Sequence, residues 1–414
     1  MFNLQLTADQ LQFRDTIRNF VKNEIKPVAT HPQRLEPFAK PLLRDCMDKA
    51  SELGLRSILL SEEKGGIGAD LMTTCIVLEE LAAADIDVAM TIGETALIGH
   101  LLFDKWITKD QEKSFLERFV EQNHFHLSFT NPTMKMSEGW NYYGEKSENS
   151  QNSITYIEKN NNWVIEGSHP HISNALAAEL FILTAHPIKE KNIEQNMSFF
   201  LVPRDTPGLK IAELPDDKEN SAASWRHGCS AAIEFDNCKI PLNHKLDLSH
   251  KELLAHATYG KQATLINAAI NLGLGRAAFD TAFDYTQIRR QGGRNIIEHQ
   301  AIGKMIADMA IKLELESTYI YKAAWIADHP EVEDDNSVSQ LPHHMIASVF
   351  TAEAVNEVAL IAAECFGAMG VMRDMPIQSY VNDSFMFLHS DINDMASKLP
   401  IAEMLIKFQG MEAA

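Results

Sequence analysis

The sequence predicts a mostly helical protein with a central β domain. Apolar residues recur at helical spacing in the first and last parts of the chain, and short β-rich runs bounded by turn residues lie between them. A chain of 414 residues is also too long for one compact core. We therefore predict an N-terminal α-helical domain over residues 1–125, a middle β-barrel-like domain over 126–242 and a C-terminal four-helix bundle over 243–414.

The N-terminal segment is predicted to begin with a capped helix. Thr7 and Gln10 have capping-box spacing, in which the Thr7 hydroxyl accepts the Gln10 N–H and the Gln10 side chain reaches back. Helical stripes of apolar residues follow over 11–25 and 71–84. The run 65–68, Gly-Gly-Ile-Gly, is predicted to be a turn. It does not match a phosphate-binding loop, because no strand precedes it and no Gly-Lys-Ser/Thr follows it.

The middle and C-terminal segments differ in the period of their apolar residues. Strands are predicted at 163–167, 180–184, 197–202 and 231–235, which indicates a small, mostly antiparallel β domain. The polar stretch 137–153 is predicted to be a loop or insertion. Helices are predicted over 265–283, 302–313 and 345–366, with a final helix over 397–411, and together they indicate a bundle.

Composition restricts the class of partner and the compartment. The formal net charge of -20 disfavours binding to nucleic acid. The five cysteines are scattered and contain no Cys-x-x-Cys pair, so a reducing compartment is expected, and no secretory signal is visible at the start. We therefore expect a cytoplasmic protein. No membrane span is predicted, because the most apolar stretch, 88–103, contains Glu94 and His100.

Two His-x-His pairs raise the possibility of a metal site. They are His124 with His126 and His169 with His171. Alternate residues of a strand project from the same face, so on a strand the two imidazoles of each pair would lie on one side. The sequence places no third ligand beside either pair, so we predict no metal.

The stretch 365–370, Cys-Phe-Gly-Ala-Met-Gly, carries the strongest functional signal. Gly367 and Gly370 suit a backbone that passes close to a bulky ligand, because glycine has no Cβ to clash with it. A lone carboxylate, Asp391, follows further along the chain.

Several stretches together resemble the acyl-CoA dehydrogenase family over essentially the whole chain. They are Leu-Thr-Ala-Asp-Gln at 6–10, Phe-Asp-Asn-Cys-Lys-Ile-Pro at 235–241, Gly-Leu-Gly-Arg-Ala-Ala-Phe-Asp at 273–280, Glu-His-Gln-Ala-Ile at 298–302, Met-Ile-Ala-Asp-Met at 305–309 and the stretch at 365–370. The resemblance implies the three-domain fold, an FAD at a subunit interface and a homo-oligomer, usually a tetramer. It also implies acyl-CoA substrates and an electron-transfer flavoprotein as electron acceptor.

The family's reaction begins with a carboxylate that removes the acidic α-proton of a thioester while the β-hydride moves to the flavin. By resemblance, Asp391 occupies the position of that base in one frequent subgroup, where the family uses Glu. The shorter side chain loses about 1.5 Å of reach. The family's other base position is Ala263 here, which carries no acid. Two interpretations remain open, a base for a differently placed substrate carbon and a carboxylate with no catalytic role.

The resemblance also assigns candidate cofactor residues. In the C-terminal segment, Arg289 matches an arginine that reaches the FAD pyrophosphate of a neighbouring subunit, and Gly367 and Gly370 match glycines that admit the adenosine portion. Glu364 stands where the family often has Gln, and 291–293, Gln-Gly-Gly, replaces Thr-Phe-Gly.

In the β domain, Thr130 and Ser173 match hydroxyl residues near the flavin. His171 replaces a tryptophan that packs on the ring, and the family's Gly-Ser-Asp after Thr130 is missing.

Three functions are compatible with this pattern. The first is an FAD-dependent acyl-CoA dehydrogenase with an atypical substrate. The second is a flavoenzyme of the same fold that acts on a non-thioester carbon acid, as nitroalkane oxidases do. The third is a non-catalytic partner in a heteromer with a related subunit.

Overall fold

The structure is a computed structural model that describes residues 5–31, 42–130, 154–188, 197–212, 229–248, 257–334, 338–372, 374–389, 398–399, 401–402 and 404–406. Its helices are α1 (Ala8–Phe20), α2 (Lys26–Ala29), α3 (Arg44–Glu52), α4 (Leu71–Ala82), α5 (Ile86–Leu101), α6 (Lys109–Glu121), α7 (Ala257–Ile288), α8 (Gln300–Asp328), α9 (Glu331–Asp334), α10 (His343–Phe366) and α11 (Pro376–Leu388). The predicted mostly helical fold with a central sheet is confirmed. The predicted last helix, 397–411, lies largely outside the described residues.

The capped start of α1 is confirmed. The Gln10 N–H donates to Thr7 Oγ1 at 3.2 Å, and the Thr7 N–H donates to Gln10 Oε1 at 3.0 Å. The helix continues into a π-helical turn at Val21–Ile25, which inserts one extra residue per turn. This turn explains why the apolar stripe over 11–25 has an irregular period, since it changes the face on which later side chains lie.

The strands are β1 (His126–Phe129), β2 (Thr155–Lys159), β3 (Asn162–Ile172), β4 (Ala178–Pro187), β5 (Ser198–Pro203), β6 (Leu209–Ala212) and β7 (Ala231–Pro241). They form one sheet with the order β1-β4-β2-β3-β7-β6, and β5 pairs with β4. Pairing is mostly antiparallel, as predicted, but β4 pairs in parallel with β1 and β2. The β2–β3 connection is a tight turn at Asn160 and Asn161, both of which have positive φ.

The chain divides into two compact units. The first contains 1–41, 70–89 and 261–414, and the second contains 42–69 and 90–260. The sheet belongs to the second unit, and the long helices α7, α8 and α10 belong almost entirely to the first. The three-domain boundaries remain a prediction.

A buried ion-pair network stabilises the first unit. Arg276 on α7 donates to Glu79 Oε1 at 2.6 Å and to Glu80 Oε1 at 2.9 Å, and Arg18 on α1 binds Glu80 through both of its oxygens. Tyr321 on α8 donates to the other Glu79 oxygen at 2.6 Å. Two arginines and two glutamates balance in charge, so the carboxylates on α4 are paired despite being buried.

Two described helical segments pass a length and composition test for crossing a membrane, 86–106 and 343–371. The apolar windows of these segments are 83% and 61% buried within the protein. Burial of this kind is what core helices show.

Candidate active site

An aromatic stack joins the C-terminal ends of α7 and α10. The rings of Tyr285 and Phe366 lie 4.1 Å apart at an angle of 12°. Arg289 follows Tyr285 by one helical turn, and its N–H donates to the Tyr285 carbonyl. Gly367 directly follows Phe366. The stack therefore holds the predicted phosphate-binding arginine and the predicted glycine corner at the same end of the bundle.

The two positions of this corner are occupied by glycine for different physical reasons. Gly367 has φ +58° and ψ −134°, a conformation essentially restricted to glycine, and a Cβ there would meet no atom within 4 Å. Gly370 is buried, and a Cβ there would lie 2.5 Å from the Ala363 carbonyl oxygen. Gly367 thus leaves open space beside the backbone, whereas Gly370 is required by the fold of the corner itself.

Gly370→Ala is expected to destabilise the protein by about 1–3 kcal/mol, because the new methyl group must displace backbone rather than a flexible side chain. The free energy of unfolding from urea titration measures this. Gly303→Ala on α8 is the matched control, since a Cβ there meets only one oxygen at 3.9 Å. The control is expected to stabilise the helix by up to about 1 kcal/mol. Equal effects of the two changes would contradict the packing argument.

The residues after Arg289, where Gln-Gly-Gly replaces the family's Thr-Phe-Gly, form a small hairpin. Strands β8 (Arg290–Gln291) and β9 (Arg294–Asn295) pair across Gly292 and Gly293, which have φ of 62° and 84°. Two consecutive positive φ values are those of a type I′ turn, which explains the paired glycines. The Arg289 side chain is exposed at the base of this hairpin, and Glu364 is exposed in the last turn of α10.

In the second unit, Thr130 is buried and its polar groups bind the sheet. Its hydroxyl donates to the Ile182 carbonyl at 3.3 Å and accepts the Thr184 N–H at 2.6 Å. The Thr130 N–H also donates to the Ile182 carbonyl at 3.0 Å. In this arrangement Thr130 extends the β1–β4 pairing, and its proposed role towards a flavin remains a prediction.

Ser173 lies at a sharp corner after β3 that is fixed by its neighbour Asn174. Asn174 is 2% exposed and has φ 56°, a left-handed conformation that asparagine tolerates. Its side-chain NH₂ group donates to the Thr91 carbonyl at 3.2 Å and to the Leu127 carbonyl at 3.3 Å. The Ser173 hydroxyl is half-buried and forms no hydrogen bond within the described residues. The corner therefore presents a preorganised hydroxyl.

Histidines near this corner have separate environments. The His171 backbone lies in β3, and its side chain is outside the described part of the structure. His126 is buried in β1, where its Nδ1 lies 3.3 Å from Thr95 Oγ1 and burial lowers its pKa to about 3. His124, its predicted partner, is exposed. Among the described residues, no group of three His, Cys, Asp or Glu side chains converges as metal ligands.

Glu94 is a feature that sequence reasoning missed as a functional candidate. It lies on α5 beside Thr95, whose hydroxyl contacts the His126 ring and accepts the Leu127 N–H at 3.4 Å. The carboxyl group is half-buried, and burial raises its pKa to about 8. A carboxyl group with such a pKa can act as hydrogen-bond donor or acceptor near neutral pH. The sequence signal that could have identified Glu94 is the presence of an acid within a long apolar stretch.

Asp391, the predicted base, lies outside the described residues, so its catalytic role stays a prediction. Asp383, another acid in this part of the chain, is 3% exposed on α11. Ser384 beside it accepts a hydrogen bond from Asn356 at 2.9 Å, which ties α11 to α10.

Each unit, taken by itself, has groups that suit part of a flavin nucleotide. An exposed guanidinium suits bidentate contact with a phosphate, and the open space at Gly367 suits close approach of a bulky ring. The unbonded Ser173 hydroxyl suits a ring nitrogen. Thr130 is the exception, because its hydroxyl already has both a donor and an acceptor partner.

Three family models match the chain in sequence order. They are the acyl-CoA dehydrogenase N-terminal domain over residues 7–123, the middle domain over 142–238 and the C-terminal domain over 262–387. A probable acyl-CoA dehydrogenase from Bacillus subtilis, YngJ, is 26% identical, and the match covers 98% of this chain and 100% of that protein.

Solved structures show the same fold. Butyryl-CoA dehydrogenase from Megasphaera elsdenii superposes with a TM-score of 0.79 at 21% identity, over 98% of this chain and 100% of that one. PigA with FAD and proline superposes with a TM-score of 0.79 at 18% identity, over 98% and 99% of the two chains. With all three domains matched in order, the chain belongs to the acyl-CoA dehydrogenase family of flavin oxidoreductases.

Proposed function

We propose that the protein is an FAD-dependent acyl-CoA dehydrogenase-like enzyme that oxidises an atypical acyl thioester. The observation that carries this proposal is the Tyr285–Phe366 stack, which holds Arg289 and the Gly367 corner together at one end of the bundle. A guanidinium and an open glycine backbone at the same end of the bundle are suited to a dinucleotide's phosphates and adenosine.

Each candidate residue has a physical task in this proposal. Arg289 binds the pyrophosphate, and Gly367 and Gly370 keep side chains away from the adenosine portion. Ser173 would donate a hydrogen bond to the flavin ring from its fixed corner, and His171 stands at the sequence position where the family has the tryptophan that packs on the ring. Glu364 accepts a hydrogen bond where a relative with Gln would donate one. Thr130 holds β1 and β4 in place beside the ring.

Asp391 removes the α-proton of the substrate in this proposal. The thioester carbonyl acidifies that carbon, and the carboxylate takes the proton as the C–H bond breaks. The flavin, when bound, accepts the hydride from the β-carbon and supplies the redox chemistry. The protein then needs an electron acceptor, and an electron-transfer flavoprotein is the partner that the family resemblance favours.

A second candidate function is oxidation of a non-thioester carbon acid, such as a nitroalkane. The observation that favours it is Asp391 itself, because an Asp in place of Glu suits a reacting carbon at a different distance. Under a third alternative the protein is a non-catalytic member of a heteromer with a related subunit.

Anaerobic reduction of the purified protein distinguishes the three functions. A yellow protein that bleaches on addition of an acyl-CoA supports the proposal. A yellow protein that is reduced only by a non-thioester carbon acid supports the second function, and a colourless protein that binds flavin only with a related subunit supports the third.

We propose a cytoplasmic location because none of the five cysteines, all of which are described, forms a disulfide.

We also propose that the enzyme is a homo-oligomer assembled through its helical bundle. Ile311 and Leu315 lie one turn apart on α8 and are 59% and 56% exposed. Large apolar side chains are exposed on three other elements of the same unit as well. These are Phe283 and Ile288 on α7, Phe350 and Leu360 on α10, and Phe385 on α11. Large apolar side chains exposed in this number on one unit are typical of an association surface.

Leu315→Lys is expected to shift the assembly towards smaller species, because a buried interface then contains an unpaired charge. Sedimentation velocity measures the mass of the assembly over a range of protein concentrations. Leu53→Lys is the matched control, since Leu53 is an exposed leucine in the other unit. A wild-type protein that sediments as a single chain would rule out the oligomer.

A further inference from the structure

Three buried polar side chains of the bundle have oxygen atoms without a hydrogen-bond partner among the described residues. Asn271 on α7, Glu316 on α8 and Thr351 on α10 are 2%, 1% and 0% exposed. The unpartnered atoms are Asn271 Oδ1, both carboxyl oxygens of Glu316 and Thr351 Oγ1. Buried polar groups are paired in most proteins, because an unpaired group loses its hydration without replacement.

The direction of the three helices determines whether these side chains share a level. Tyr319, in the second half of α8, binds His343 at the start of α10 with an O–N distance of 3.0 Å. Lys261, near the start of α7, pairs at 3.3 Å with Glu333, just beyond the end of α8. Helix α8 therefore runs antiparallel to α7 and α10, which run parallel to each other.

The three helices meet at Gly275 on α7. A Cβ on Gly275 would lie 2.9 Å from Leu313 Cδ2 on α8 and 3.0 Å from Val355 Cγ2 on α10. These three residues therefore face one another across the interior of the bundle.

The unpartnered oxygens of Asn271, Glu316 and Thr351, called the oxygen layer below, lie one helical turn from this contact in the same direction along the bundle. The step is four residues back on α7 to Asn271, three residues forward on the antiparallel α8 to Glu316, and four residues back on α10 to Thr351. Residues three or four apart share a helix face. All three side chains consequently lie on the faces that meet in the interior, at one level.

The chemistry of the layer points to a cation. All unpartnered atoms on α7, α8 and α10 in the described residues are oxygens, including Gln262 Oε1 further along α7. Oxygen-only sets with a carboxylate suit hard cations, and side chains on three helices that face one interior at the same level are placed to contribute ligands to one ion. The layer offers one ionisable acid and two neutral groups, so a single positive charge neutralises it.

We propose that Asn271, Glu316 and Thr351 form an interior site for one dehydrated monovalent cation, Na⁺ or K⁺. The cation takes the place of the proton on the Glu316 carboxyl group, and the displaced proton goes to solvent. Because the cation competes with that proton, its binding is stronger at high pH.

Thermal unfolding of the full-length protein tests the site. We compare KCl, NaCl and choline chloride at equal ionic strength. The midpoint is expected to rise by about 1–2 °C for each tenfold increase in the preferred metal cation, and more at pH 9 than at pH 6. Choline is too large to enter, so it leaves the midpoint unchanged.

Variants locate the effect. Glu316→Gln removes the charge and is expected to abolish the response, and Thr351→Val, nearly the same shape, is expected to weaken it. Glu314→Gln is the control, because Glu314 is an exposed glutamate on α8 and should leave the response intact. Equal midpoints in metal and choline salts, or a full response in Glu316→Gln or Thr351→Val, would overturn the proposal.

Discussion

Asp391→Asn is expected to slow reduction of the bound flavin by substrate by about 10²–10⁴-fold, the usual contribution of a positioned general base. The amide has nearly the same shape as the carboxylate but cannot accept the α-proton. Binding of the flavin is expected to be unchanged, because the proposed flavin-binding residues lie elsewhere in the sequence. Stopped-flow absorbance under anaerobic conditions measures the reduction rate, and the protein-bound flavin absorbance measures occupancy.

Two further variants make the result specific. Asp391→Glu restores the acid that the family usually has and extends its reach, so it is expected to retain a measurable rate with a shifted preference among thioesters. Asp284→Asn changes an exposed aspartate on α7 and is expected to leave the rate unchanged. Wild-type reduction kinetics in Asp391→Asn would remove this residue from the mechanism.

Arg276→Met is expected to lower the free energy of unfolding by about 3–5 kcal/mol, because it leaves a buried charge without its partner. Arg276 bonds to both Glu79 and Glu80, whereas Arg18 reaches only Glu80. The guanidinium's pKa is raised overall, since the attraction of the two glutamates outweighs the opposing effect of burial. Urea denaturation at pH 7 provides the measurement.

The loss should depend on pH. Burial raises the pKa of Glu79 above its ordinary value even with Arg276 present, and removal of the cation raises it further. A carboxyl group with a raised pKa binds its proton more tightly in the folded state, so the loss of stability caused by Arg276→Met is smallest at low pH and grows as pH rises. Arg14→Met, which breaks a largely exposed pair with Asp15, is the control and should cost less than about 1 kcal/mol at every pH.

Periodicity located the long helices and the strands β3, β4, β5 and β7, whereas β1, β2 and β6 were not predicted. The long helices carry apolar residues at helical spacing that pack in a bundle, and the strands are short runs between turn residues. The π-turn at Val21–Ile25 was not predictable, because the same residues are compatible with a regular helix. The parallel pairing of β1 with β4 was also missed, since strand pairing depends on contacts between residues far apart in sequence.

The site was only partly predictable for the same reason. The glycine corner was identified from residues that are adjacent in sequence. The Tyr285–Phe366 stack that joins it to Arg289 links positions on different helices, and the hydroxyl of Thr130 is bound by Thr184, which lies 54 positions away. Asn174 follows Ser173 directly in the sequence, but its role in fixing the Ser173 corner depends on hydrogen bonds to Thr91 and Leu127, which are distant in sequence.

Mass analysis of a thioester after turnover tests the central claim most directly. The purified enzyme is incubated with a panel of acyl-CoA substrates and an artificial electron acceptor, and each thioester is then weighed by mass spectrometry. We expect at least one product that has lost two hydrogen atoms, one each from the α- and β-carbons, with matching reduction of the acceptor. A flavin-loaded protein that leaves every thioester at its original mass, yet is reduced by another carbon acid, would contradict the assignment.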